Sequence, residues 1–408
     1  MRLLFALFLL VSSLPAYAQN TKKVEAQFQA WLQNDLWPEA RSQGISKGIF
    51  RTALNGVTIN WKLPDLVLPG QKPKVNRKQA QTEFRSPGRY FNENNIAPVV
   101  RSGRKLFAKH KTLLARLEKK YGVPGRILLA IWGRESAYGR AAIPHDVFQV
   151  LATKAFMSTR KKLFRKEVLA GLQILEKGYA SRATMKSSWA GAMGQPQFLP
   201  SSYLEYAVDY DGDGKRNIWG SVPDTLASIA NYLSKYGWQR GRDWGYEAAI
   251  PKNVSCALEG PDQMRPIRDW TNVGVTRISG KAFPNSELGK RGSVLMPAGR
   301  AGPAFIATPN FYVIKKYNNS DLYALFVGNV ADRIQYSDKP FVADFQPVSG
   351  LNRGNVMSIQ NGLIKKGYDV GGADGLAGFK TRRSIGDWQQ KNGLAATCFP
   401  DKGLASRF

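Results

Sequence analysis

GRILLAIWGRESAYGR (residues 125–140) reads as one apolar helix that carries a single carboxylate. Pro124 suits the first helical position, because an N–H there would have no intrahelical partner. Ile127, Leu128, Ile131 and Trp132 recur at helical spacing, and Glu135 continues the same stripe. A carboxylate on a core-facing stripe is either desolvated or lines a cleft. Both situations penalise the ionised form and lift the pKa toward the range of a general acid. The alternative on spacing alone is a Glu at a helix end, paired with Arg134 or Arg140.

Two further blocks lie downstream. SSWAGAMGQPQFLPSSY (187–203) sets Gly191 and Gly194 among small residues, followed by Gln195, Pro196, Gln197 and Phe198. Small residues let backbone approach a ligand closely, while amides and hydroxyls bind neutral, hydroxyl-rich groups. NFYVIKKYNNSDLYALFVGNVADRI (310–334) brings Tyr317, Asn318 and Tyr323 together, an aromatic and amide set suited to gripping a sugar ring.

In AVDYDGDGKRNIWGSVPDTLASIANYL (207–233), Asp209, Asp211 and Asp213 followed by Gly214 reproduce the first half of an EF-hand loop. Counted as ligands are these three, Lys215 at the seventh position, and the late acid Asp224. The twelfth position holds Gly220, where the bidentate acid normally stands. Hard oxygen donors favour calcium; a solvated Asp-Gly turn is the competing reading. No organic cofactor is expected.

With 408 residues the chain exceeds one core, so more than one domain is expected. It is 43% apolar and 22% charged, an ordinary globular balance. MRLLFALFLLVSSLPAYA (1–18) has a basic start, an apolar run and a small-x-small end at Ala16 and Ala18, the pattern of a secretory signal. It carries no cysteine for lipidation, and no second apolar run reaches membrane-spanning length. A periplasmic, unlipidated monomer is expected. Cys256 and Cys398 lie far apart; export permits a bridge between them, and two separate buried thiols are the alternative.

There are 59 Lys+Arg against 30 Asp+Glu, a net charge of +29. Such a charge implies an anionic partner. The basic residues are spread rather than clustered and no nucleic-acid motif is visible, so a cell-wall polymer with free carboxylates fits better than nucleic acid.

Along the chain, residues 20–95 read as a helical lead-in with a Pro-rich stretch, and 100–235 carry repeated helical patterns. Short strands and Gly/Pro/Asn turns follow over about 246–309, as in VGVTRIS and GPAFIAT, predicting a β-rich insert. Helical pattern returns from Ser320. A linker over 341–351 then sets off residues 352–408. The predicted class is mainly α (α+β).

Taken in order, the three blocks resemble the family B lytic murein transglycosylases over roughly residues 20–340. The resemblance implies a lysozyme-like catalytic domain over 19–340 that cleaves the MurNAc-GlcNAc bond of peptidoglycan. It implies Glu135 as the sole acid/base, first donating to the glycosidic oxygen, then taking the proton of the MurNAc C6 hydroxyl. That hydroxyl closes on C1 and leaves a 1,6-anhydro end. Ser188, Gln197, Tyr232, Tyr317 and Asn318 map onto sugar-orienting positions, Tyr323 being grouped with them. Pro196 departs from the family pattern. Members also use a lengthened metal loop with a late Asp, and Asp224 lies one residue later still.

The tail resembles a three-helix peptidoglycan-binding module, through Gln360, Gly367, Tyr368, Asp374, Gly375, Gly378, Thr381, Trp388 and Gln389. Most of these set turns or core, Trp388 among them. Peptidoglycan strands are the partner so implied. The readings left in competition are a hydrolytic muramidase on the same fold, a non-catalytic wall-binding protein and, last, a nucleic-acid binder.

Overall fold

The computed structural model describes residues 14–73, 87–347 and 350–408. The expected signal peptide falls mainly outside them. The helices used below are, in chain order, α1 Leu14–Trp31, α2 Glu93–Lys109, α3 Gly125–Ser136, α4 Val147–Met157, α5 Lys161–Glu176, α6 Val222–Lys235, α7 Pro309–Tyr317, α8 Asp321–Gln335, α9 Arg353–Lys365 and α10 Phe379–Lys391. The strands are β1 His145–Asp146, β2 Lys186–Ser187, β3 Gly245–Ala249, β4 Arg265–Pro266, β5 Thr276–Arg277, β6 Arg291–Leu295 and β7 Ala304–Ala307. None of the described helices is long and apolar enough to cross a membrane. The chain forms two compact units, one from the described residues up to 73 with Ala142–Ser221, the other from residues 87–141 with Val222–Phe408.

In the first unit, α4 and α5 form the central packed pair. Asp146 caps α4 by accepting from the Gln149 N–H at 2.9 Å, and Val147, Phe148, Val150, Leu151 and Ala155 bury along its length. Glu167 of α5 is buried because its carboxylate accepts from both the N–H and the hydroxyl of Ser201, each at 2.8 Å. It thereby satisfies an orphan donor at the start of the Pro200–Tyr206 helix. One serine of the PSSY motif is thus a helix-terminus anchor. β1 and β2 pair antiparallel beside α4.

In the second unit α3 is central, packed against α2 and α8. The sequence predicts one apolar stripe; instead every residue from Gly125 to Gly133 is buried, Arg126 included. Arg126 is tolerated because its guanidinium pairs with Asp332 at 2.5 Å and Asp243 at 2.8 Å. The β-rich insert is a five-stranded antiparallel sheet in the order β4-β6-β7-β3-β5. Its strands begin at Gly245 and end at Ala307, close to the predicted span.

The C-terminal segment folds as α9, α10 and a last short helix, Lys402–Ala405, around Val356, Ile359, Leu363, Ile385 and Trp388. Trp388 is core, as expected. Within the expected linker, residues 341–346 are docked. Phe345 stacks on Phe91 at 5.0 Å, Phe341 meets Phe305 edge-on at 4.9 Å, and the Val342 and Ala343 N–H groups donate to the Glu247 carboxylate. The module is then tied to the insert by a Cys256–Cys398 disulfide spanning 142 residues. Arg382 of α10, 3% exposed, pairs with Glu259 at 2.7 Å and Asp321 at 2.9 Å. Burying charges is tolerable only when they are paired, so this contact cannot be solvated casually.

Candidate active site

Glu135 occupies the last turn of α3. The three residues beyond Ser136 explain why it stays there. Ala137, Tyr138 and Gly139 all take the left-handed conformation, with φ of 48°, 62° and 80°. Such φ values cost energy for residues with a Cβ and persist where the surroundings enforce them. Here the Ser136 hydroxyl accepts from the Gly139 N–H at 3.0 Å. The Tyr138 ring folds back against Trp132, and its hydroxyl donates to the Val99 carbonyl at 2.8 Å. Gly133 makes room, since a Cβ there would lie 2.6 Å from Tyr138 Cζ. The GRESAYG motif is therefore a helix stop that pins one carboxylate.

The pairing of Glu135 with Arg134 or Arg140 is not formed. Arg134 turns away, donating to the Tyr90 hydroxyl at 2.7 Å and lying 4.9 Å from the ring centres of both Tyr90 and Phe326. Instead the Tyr323 hydroxyl donates to Glu135 Oε1 at 2.6 Å. Burial pushes the Glu135 carboxyl above its ordinary value, and that effect outweighs the opposing Tyr323 hydrogen bond and the Arg134 charge. Glu135 lines a pocket of about 420 Å³ with Arg89, Tyr90, Asn95, Gly133, Arg134 and Phe326. Among the described residues lining it, Glu135 is the one acid. Tyr90 was not singled out by the sequence, since an isolated Tyr some 45 residues upstream has no helical or motif relation to Glu135.

The remaining predicted residues are placed unequally. Tyr323, 1% exposed, is too buried to grip a sugar face; its hydroxyl is committed to Glu135. Tyr317 ends α7 with its ring centre 4.9 Å from that of Tyr232, and the Tyr232 hydroxyl donates to the Lys316 carbonyl at 2.6 Å. Burial lifts the Tyr317 phenol well above its usual value, helped by the Glu135 charge. Asn318 caps α7 and is exposed.

Ser188 and Gln197 belong to the first unit. The Ser188 carbonyl accepts from Gly191 at 2.9 Å and its N–H donates to Ala192 at 2.8 Å, closing a tight turn. Gly191, at φ 84°, sits where a side chain would collide with Leu151. Gln197 also takes a positive φ, 55°, and donates from its amide to the Gly194 carbonyl at 2.9 Å. Pro196 is buried within this turn rather than disrupting it.

In the acidic loop, carboxylate oxygens of Asp209, Asp211 and Asp213 lie within 4.8 Å of one another. Asp209 accepts from the Gly212 and Gly214 N–H groups at 2.7 and 2.8 Å, and Asp213 from Lys215 at 2.8 Å, which wraps the backbone around them. Hard, mutually repelling oxygens at this spacing suit a divalent cation. Asp224, the expected late acid, is fully buried in the first turn of α6, on the second unit.

Comparison with known proteins agrees with this architecture. The transglycosylase SLT domain family matches residues 27–332, and a peptidoglycan binding domain matches 352–404. The chain belongs to the transglycosylase SLT domain family. It is 31% identical over 240 residues to membrane-bound lytic murein transglycosylase B of Escherichia coli (strain K12), an alignment covering 58% of this chain and 63% of that protein. SltB3 of Pseudomonas aeruginosa, solved in complex with NAG-NAM-pentapeptide, superposes with a TM-score of 0.83 at 36% identity, covering 93% of this chain and 99% of that one. The Escherichia coli lytic transglycosylase Slt35, solved in complex with calcium, has a TM-score of 0.53 at 28% identity, covering 62% of this chain and 80% of that one.

Proposed function

We propose that the chain is a lytic transglycosylase that cleaves the MurNAc-GlcNAc bond of peptidoglycan without water, in the periplasm, with Glu135 as its one acid/base. The observation that carries this is a desolvated carboxyl, hydrogen-bonded by Tyr323, that is the one acid among the described residues lining its pocket. Hydrolysis of a glycoside ordinarily needs two carboxylates, one of them as nucleophile or as base for water. A single carboxyl suffices if it protonates the glycosidic oxygen and, once ionised, takes the proton from the C6 hydroxyl of the same sugar. That hydroxyl then attacks C1, the C1–O bond to the leaving sugar breaks, and an anhydro ring forms. The proton count closes: Glu135 gives one proton and recovers one. Holding C6–OH near C1 is an orientation effect, for which Tyr232, Tyr317 and Asn318 are proposed. The relative SltB3, also solved with NAG-anhNAM-pentapeptide, supports this reading. Mass spectrometry of fragments released from purified sacculi tests it: anhydro ends are expected, and reducing ends would make the enzyme a muramidase.

Tyr323 enters as a positioning residue. Tyr323→Phe removes the hydrogen bond that favours ionised Glu135, so the Glu135 pKa should rise further. The alkaline limb of the kcat profile, where the acid form is lost, is expected to move to higher pH, with kcat falling about tenfold and KM little changed. An unmoved limb would show that Tyr323 only packs.

Asp209, Asp211 and Asp213 are proposed to hold calcium with structural effect. Millimolar calcium is expected to raise the melting temperature by mass action, and Asp211→Ala to remove that gain. Equal melting curves with calcium and with chelator would leave an ordinary Asp-Gly turn.

A further inference from the structure

In the first unit the exposed large apolar side chains among the described residues are Trp61, Leu163 and Trp189, with Trp61 37% and Trp189 47% exposed. They are not scattered. Trp189 and the loop that bears Trp61 are both tied to Lys154, a fully buried lysine in the last turn of α4. The Lys154 ammonium lies 4.7 Å from the Trp189 ring centre and 5.2 Å from that of Phe164, the neighbour of Leu163. It also donates to the Pro64 carbonyl at 3.3 Å, while Thr153 accepts from the Asn60 N–H at 3.0 Å. The loop bearing Trp61 is thus fastened to consecutive residues of α4. Trp189 stands at the tip of the Ser188–Ala192 turn, held by two backbone hydrogen bonds.

One face of the Trp189 indole is therefore fixed by an ammonium, and the rest of its surface is left to solvent. An exposed indole that is already immobilised gives up little entropy on binding a flat apolar face. Exposed cations flank the same segments: Lys62 follows Trp61, and Arg160 and Lys161 precede Phe164, with Arg160 5.3 Å from the Phe164 ring centre. Indoles match the C–H faces of sugar rings, and the cations match carboxylates. A polymer that carries both is glycan bearing peptide stems.

We infer that the Trp61–Trp189 face around Lys154 is an accessory peptidoglycan-binding surface, its indoles stacking on sugar rings and the cations Lys62, Arg160 and Lys161 taking stem-peptide carboxylates. This rests on the substrate class proposed above and does not involve Glu135. Trp189 lies in the 187–203 block, next to Ser188, but Trp61 and Lys154 lie 128 and 35 positions from it and belong to no quoted motif.

The test uses the full chain carrying Glu135→Gln, so that turnover does not erode the ligand. Retention on purified sacculi is measured at physiological ionic strength. Trp61→Ala with Trp189→Ala is expected to weaken retention about tenfold or more, as loss of stacking platforms does elsewhere. Phe at both positions should keep most of it, and Lys62→Ser with Lys161→Ser should flatten its salt dependence. Unchanged retention in the Ala pair overturns the inference. So does an equal loss in the Phe and Ala pairs with lowered melting temperatures, which would mark the indoles as structural. Duplex DNA that binds as tightly and is lost through the same substitutions would also overturn it. Fragment release by the chain with Glu135 intact is followed in parallel; its failure with the indole effect intact counts against the catalytic reading alone.

Discussion

Glu135→Gln is expected to lower glycan cleavage by at least about 10²–10⁴-fold, the ordinary worth of a general acid, while raising the melting temperature at neutral pH. The two effects share one cause. Burial lifts the folded-state pKa of Glu135 above its unfolded value, so the folded chain holds this proton over a pH range where the unfolded chain has released it. Stability then falls as pH rises from the unfolded value through the folded one. The isosteric amide carries no such penalty and can still accept from the Tyr323 hydroxyl. The stability gain should be absent below the unfolded carboxylate range, grow across the window and stay constant above it. Turnover within a few-fold of the parent would remove Glu135 from the acid/base role. A gain independent of pH would mean that its carboxyl is not desolvated.

The second large effect belongs to the module contact. Arg382→Ala is expected to destabilise the second unit by about 3–5 kcal/mol, because it strands the carboxylates of Glu259 and Asp321. Glu259 is fully buried and also accepts from the Met296 N–H at 2.9 Å. Burial would push the Asp321 carboxyl up, but Lys315 and Arg382 together hold it at about 2. Without the guanidinium, two nearby acids face each other in a poorly solvated contact. The loss should be smaller at mildly acidic pH, where protonation removes the uncompensated charge. Adding Glu259→Gln and Asp321→Asn to Arg382→Ala should recover much of the stability, since a stranded buried charge costs more than the pair contributes. Urea denaturation measures both. A change below about 1 kcal/mol for Arg382→Ala alone would mean that the module is loosely held. For the same reason, deletion from residue 350 is expected to destabilise the remainder rather than release an intact enzyme.

The sequence by itself determined the α3 helix and its lone carboxylate, the short-strand region after residue 245, the three-helix tail and the acidic loop. Each rests on local periodicity, turn residues or ligand spacing, which are properties of neighbouring residues. Only the tertiary structure decided the rest. Arg126 reads as a surface arginine until Asp243 and Asp332, over a hundred residues away, are brought to it. Tyr323 belongs to an aromatic cluster in sequence, yet its hydroxyl is directed at Glu135 across 188 residues. Residues 341–346 have linker composition, and nothing local indicates that Phe91, Phe305 and Glu247 will hold them. Whether Cys256 and Cys398 could meet was a question of distance, and distance across 142 residues is fixed by packing rather than by spacing.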